Sequence, residues 1–120
     1  MFKIKTSDRP EFLAGDLTRL REVFHPAKHP LKLGYSLAHG ILEPGQRSKR
    51  HVLDSSEVYY FLAGQGRFTI DDEVTSVGAG TALYVPPGGE QSLENTGTRD
   101  IEFLCLVDPA WKAEDERILE

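Results

Sequence analysis

The sequence predicts an all-β protein, a compact antiparallel barrel or two-sheet jelly roll with a short N-terminal helix. Three observations carry that prediction. From Leu33 onward the chain is a succession of short β runs. Turn residues end each run at close intervals: Glu43-Pro44-Gly45, Ala63-Gly64-Gln65-Gly66, Asp71-Asp72-Glu73, Gly78-Ala79-Gly80, Pro86-Pro87-Gly88-Gly89 and Asn95-Thr96-Gly97-Thr98. No heptad pattern, low-complexity segment or long linker interrupts the series. At 120 residues the chain has room for one domain with a single core. Residues 1–33 read as an arm with a short helix, 34–108 as the barrel and 109–120 as a tail.

Taken in order, Asp8-Arg9-Pro10-Glu11 is irregular, and Asp16 is placed to cap a helix in which Leu17, Leu20, Val23 and Phe24 recur at helical spacing. His25-Pro26 stops it. That apolar stripe is expected to pack on the barrel and carries no chemistry. Strands are expected near 34–42, 47–53, 57–63, 66–71, 74–77, 82–85, 91–95 and 100–107. Eight short strands in about 75 residues suit a barrel or jelly roll. Pro86-Pro87 cannot sit inside a hydrogen-bonded ladder and marks a strand end. After Pro109, Trp111 reads as an anchor and Glu114-Asp115-Glu116-Arg117 as a charged, frayed end.

Composition excludes several partners. The net charge of −5, from 14 basic and 19 acidic side chains, argues against nucleic acid, whose binding draws on Lys and Arg. The one basic cluster, Arg47-Ser48-Lys49-Arg50, reads as a solvated turn or as a guide for an anionic small molecule. No apolar stretch is long enough to span a membrane, and Met1 to Asp8 lack the apolar region of a signal peptide, so a cytoplasmic protein is expected. Cys105 is the single cysteine; its neighbours Phe103, Leu104, Leu106 and Val107 predict a buried, inert thiol. His25 and His29, flanked by prolines, are expected to be exposed.

Alternation along strands sorts side chains by face. If Glu57 points into the barrel, so do Tyr59 and Phe61, while Val58, Tyr60 and Leu62 face out. Both faces of this strand are apolar, as expected where one lines the barrel and the other packs against a neighbouring sheet or a second subunit. With the comparable run 100–107, this leads to a homodimer of two-fold symmetry. His51 shares a face with Leu53, His39 with Leu37 and Ile41, and Gln91 with Leu93 and Asn95.

Gly45, His51, Glu57 and Gly64 stand with five, five and six residues between them, and Gly80, Pro86, Gly88, Gln91 and Asn95 form a second series. Together they resemble the paired motifs of the cupin superfamily, over residues 34–108. The run Ser56-Glu57-Val58-Tyr59-Tyr60-Phe61-Leu62-Ala63-Gly64-Gln65-Gly66 is similar to the core of small single-domain cupins of the conserved-barrel, mannose-6-phosphate isomerase-like type.

The resemblance implies a double-stranded β-helix with one divalent metal, Zn, Ni, Mn or Fe, held between two hairpins by His51, Glu57 and Gln91, with His39 as a further ligand. Two positions depart from the pattern: Leu53 stands where the second histidine of His-x-His belongs, and Gln91 where the later motif has histidine. A metal site with three protein ligands would leave room for a small polyoxygenated ligand, and Tyr59 is the nearest candidate proton donor. That implies a sugar or keto-acid isomerase or, with iron, a dioxygenase. The departures lead equally to a metal-free binding module whose pocket is lined by Leu53, Tyr59, Phe61 and Leu93.

Overall fold

The computed structural model describes all 120 residues. In chain order the strands are β1 (Glu11–Leu13), β2 (Arg19–Phe24), β3 (Ser36–Leu42), β4 (His51–Leu53), β5 (Ser56–Ala63), β6 (Gln65–Ile70), β7 (Glu73–Gly78), β8 (Ala82–Val85), β9 (Gln91–Asn95), β10 (Ile101–Asp108) and β11 (Glu116–Ile118). They form two antiparallel sheets, one ordered β1-β2-β3-β10-β5-β8 and the other β11-β4-β9-β6-β7. The all-β jelly-roll expectation holds. No helix is long and apolar enough to cross a membrane.

The arm differs from its expectation. The only helical segments are two 3-10 turns, Thr6–Asp8 and Ala113–Asp115, and of the residues expected as a helix after Asp16, Arg19 to Phe24 form β2 while Leu17 lies in the turn before it. β2 pairs with β3, setting Leu20 opposite Gly40 and Glu22 opposite Ala38. The segment satisfies a two-residue period as well as a helical one: Leu20 and Glu22 line an internal cavity, while Arg19 and Arg21 reach outward to Glu11. A short isolated helix is marginal in water, so the ladder offered by β3 decides the outcome. The tail also differs, because β11 pairs with β4 and sets Ile118 opposite His51 and Glu116 opposite Leu53.

The core lies between the sheets. β5 alternates buried and exposed residues, with Glu57, Tyr59 and Phe61 inside and Val58, Tyr60 and Leu62 outside. Beside it, β10 turns Ile101, Phe103, Cys105 and Val107 inward. Across the gap, Phe68 meets Tyr59 edge to face at 4.9 Å. Burial of each such side chain stabilises the fold by about 1.5–3 kcal/mol. Gly40 is required by this packing: a Cβ there would strike the ring of Phe103. Gly64 adopts φ +87° at the β5–β6 corner, where a Cβ would also meet the backbone of Asp100. Asn95 ties the end of the barrel, donating through Nδ2 to the carbonyls of Leu42 (2.9 Å) and Arg99 (2.8 Å).

Three details depart from local sequence logic. The second expected strand begins at His51 rather than at 47; Arg47 contributes only an isolated bridge to Glu94. The basic turn is structural: Arg47 holds Glu120 with two 2.8 Å hydrogen bonds, and buried Ser48 accepts from the Leu93 amide through Oγ. His25 is buried, its Nε2 donating to the Trp111 carbonyl while Nδ1 accepts from the Ala27 amide.

Candidate functional site

One cavity of about 400 Å³ opens between the sheets, within the size range of small-molecule sites. Of its 21 lining residues, 12 are hydrophobic, so most of any occupant's surface meets apolar wall. β3, β5 and β10 supply Ser36, Glu57, Tyr59, Phe103, Cys105 and Val107; β4 supplies His51 and Leu53. The arm supplies Phe12 to Asp16 and Thr18, and the tail supplies Trp111 and Glu116.

A chain of buried hydrogen bonds runs along one wall. Tyr59 donates its hydroxyl proton to Gln91 Oε1 at 2.8 Å, and Gln91 Nε2 donates to Glu57 Oε1 at 2.7 Å. The Cys105 thiol donates to Glu57 Oε2. Every member is almost fully buried. Burial pushes the Glu57 carboxyl above its ordinary range, against the opposing pull of the Cys105 and Gln91 donors. It also lifts the Cys105 thiol and the Tyr59 hydroxyl well above theirs, with the neighbouring carboxylate adding to both shifts. Cys105 is accordingly a protonated donor, not a nucleophile.

On the facing side, His51 is oriented by a 2.8 Å hydrogen bond from Nδ1 to the Lys49 carbonyl, which turns Nε2 toward the Asp16 carboxylate at 3.6 Å. Asp16 is held by its own turn: Oδ1 accepts from the Thr18 amide at 3.1 Å and from its hydroxyl at 2.7 Å, while the Lys49 amide donates to the Asp16 carbonyl at 2.8 Å. At the cavity edge the Lys28 ammonium lies 2.7 Å from Glu22 Oε1, a charge pair without a directed hydrogen bond. Trp111 donates from Nε1 to Glu116 Oε2 at 3.1 Å.

The structure brings His51, Glu57 and Tyr59 to the cavity wall, and Gln91 sits directly behind them. His39 does not join them. Its side chain lies on the outer face of the six-stranded sheet, where Nε2 meets Glu102 Oε1 at 2.7 Å, because its parity on β3 is opposite to that of Ser36 and Ala38. Phe61 and Leu93 are in the core and do not line the cavity, whereas Leu53 does. Asp16 is the site residue that sequence reasoning assigned to another task. A carboxylate accepting a backbone N–H two residues on is what a helix cap requires, and that local signal is real.

These donors do not fit the divalent metal that the motif resemblance implies. Both Glu57 oxygens receive hydrogen bonds, the Gln91 carbonyl oxygen accepts from Tyr59, and Leu53 fills the remaining position with carbon. No three His, Cys, Asp or Glu side chains gather as a metal would need.

Comparison with known proteins adds to this geometry. Residues 38–107 match the family profile described as Cupin domain. An uncharacterised protein of Methanocaldococcus jannaschii is 34% identical over 110 residues, 91% of this chain and 87% of that protein. The oxalate-binding protein of Thermotoga maritima is 34% identical over 67 residues, 55% of each chain. Among solved structures, oxalate decarboxylase from Bacillus subtilis superposes with a TM-score of 0.83 at 25% identity, covering 97% of this chain and 31% of that one. The chain thus spans about a third of that enzyme.

Proposed function

The chain belongs to the cupin domain family, and on that premise we propose that its barrel binds a small, mostly apolar organic molecule without a metal ion. The observation that carries this reading is the closed hydrogen-bond chain from Tyr59 through Gln91 and Glu57 to Cys105. It already engages each oxygen that a cation would need in a hydrogen bond, and separating its buried members would leave polar groups unsatisfied. The predominantly apolar lining supports an organic ligand with one polar end, directed at Asp16, His51 and Glu57. The relative named as an oxalate-binding protein supports the coarser class, a small organic ligand.

The sugar or keto-acid isomerase and iron dioxygenase readings need a metal at His51, Glu57 and Gln91. Elemental analysis of untagged protein purified without added metal decides between them and the metal-free reading. No stoichiometric transition metal is expected. A stoichiometric metal that disappears in His51→Ala would overturn the proposal.

We also propose that the protein is a homodimer joined through the outer face of the six-stranded sheet. Supporting this, Leu106 pairs with Val58, and Val58 with Tyr84, making one apolar row across three strands; Leu104, Tyr60 and Ala82 make a second. Nothing in the chain covers Val58, Tyr60 or Tyr84, which are 37%, 42% and 59% exposed. A flat apolar face of this kind is self-complementary under a two-fold axis.

A further inference from the structure

The geometry points to a protonated amine as the polar end of the ligand, bridging Asp16 Oδ2 and His51 Nε2. This rests on the metal-free, apolar-ligand reading above and adds the chemical class. Four acidic side chains line the cavity, Asp16, Glu22, Glu57 and Glu116, against one lysine and one histidine. The lysine is already spent on Glu22. A small dianion such as oxalate would meet repulsion there, whereas an ammonium would not.

The second observation is local. The His51 side chain is 5% exposed and its Nε2 makes no hydrogen bond, while Asp16 Oδ1 is satisfied by Thr18 and Oδ2 is not hydrogen-bonded. With Nδ1–H donating to the Lys49 carbonyl, the ring in its neutral form presents a lone pair at Nε2. In that form two acceptors face each other at 3.6 Å with no donor between them. A nitrogen at ordinary hydrogen-bond length, about 2.9 Å from each, closes that gap and supplies both protons. Phe12, Phe103 and Trp111, also on the cavity wall, offer aromatic surface to the apolar body and to the cationic head.

The test is calorimetric titration of the whole chain with three matched probes: 2-phenylethylamine, 2-phenylethanol and 3-phenylpropionate. The amine is expected to bind at least about tenfold tighter than the alcohol, with the acid weakest. In Asp16→Asn, which keeps Oδ1 for Thr18 and is checked for an unchanged melting temperature, the amine-to-alcohol ratio is expected to fall to near unity. His51→Gln, which keeps a neutral acceptor, serves as a second variant and should retain part of the preference. An amine that binds no better than the alcohol or the acid overturns the amine assignment and leaves the apolar pocket standing, as does a ratio unchanged in Asp16→Asn. If none of the three binds, both readings fall.

Discussion

Glu57 is a carboxyl buried in the core, and its effect on stability has a definite sign. Burial raises its pKa in the folded chain above the ordinary 4.5, so the native state holds the proton to higher pH than the unfolded state does. Its stabilising contribution is therefore complete below about 4.5 and is lost as pH rises through the folded value. Each unit of elevation corresponds to about 1.4 kcal/mol. Glu57→Gln retains an acceptor for Gln91 and removes the ionisation. Urea melts across this range should show the wild type losing stability where the variant stays level; parallel curves would refute the assignment. Alternation put Glu57, Tyr59 and Phe61 on one face, but because both faces of that strand are apolar the motif resemblance was needed to turn that face inward. The meeting of Asp16 with His51 was not legible, because 34 residues of intervening chain set it and no local spacing records that distance.

At the scale of single elements, β3 shows how a strand is fixed by what its neighbour needs. Gly40 is the inward position opposite Phe103, and the ring occupies the space a side chain would take. Gly40→Ala should destabilise the protein by about 1–3 kcal/mol through overpacking, read as a lower denaturation midpoint with an unchanged slope. The same strand explains the fate of His39, whose parity sends it outward to Glu102. Strand positions from β3 to β10 were legible because turn residues punctuate them, with the late start of β4 the main discrepancy. Leu17, Leu20, Val23 and Phe24 fit a helical period, and only pairing with β3, a non-local fact, puts Leu20, Val23 and Phe24 in a strand while Leu17 is left in the turn before it. β11 was missed because three residues, two of them charged, carry no pattern; its partner β4 specifies it.

For the whole molecule, the uncovered apolar rows of the six-stranded sheet make the clearest demand. Light scattering at micromolar concentration should find a dimer, and Tyr60→Lys, which places an ammonium in the centre of that face, should yield a monomer with its barrel intact by circular dichroism. A wild-type monomer would remove the proposed interface. The order of the strands has a further consequence, for biogenesis. β10 is the central member of its sheet, lying between β3 and β5, yet it is the tenth strand to leave the ribosome. Until residue 108 has emerged, β3 and β5 lack their common neighbour, and each sheet fragment, β1-β2-β3 and β5-β8, must carry an open greasy edge. Such a topology closes late and slowly, which makes the newborn polypeptide a natural client for holding chaperones.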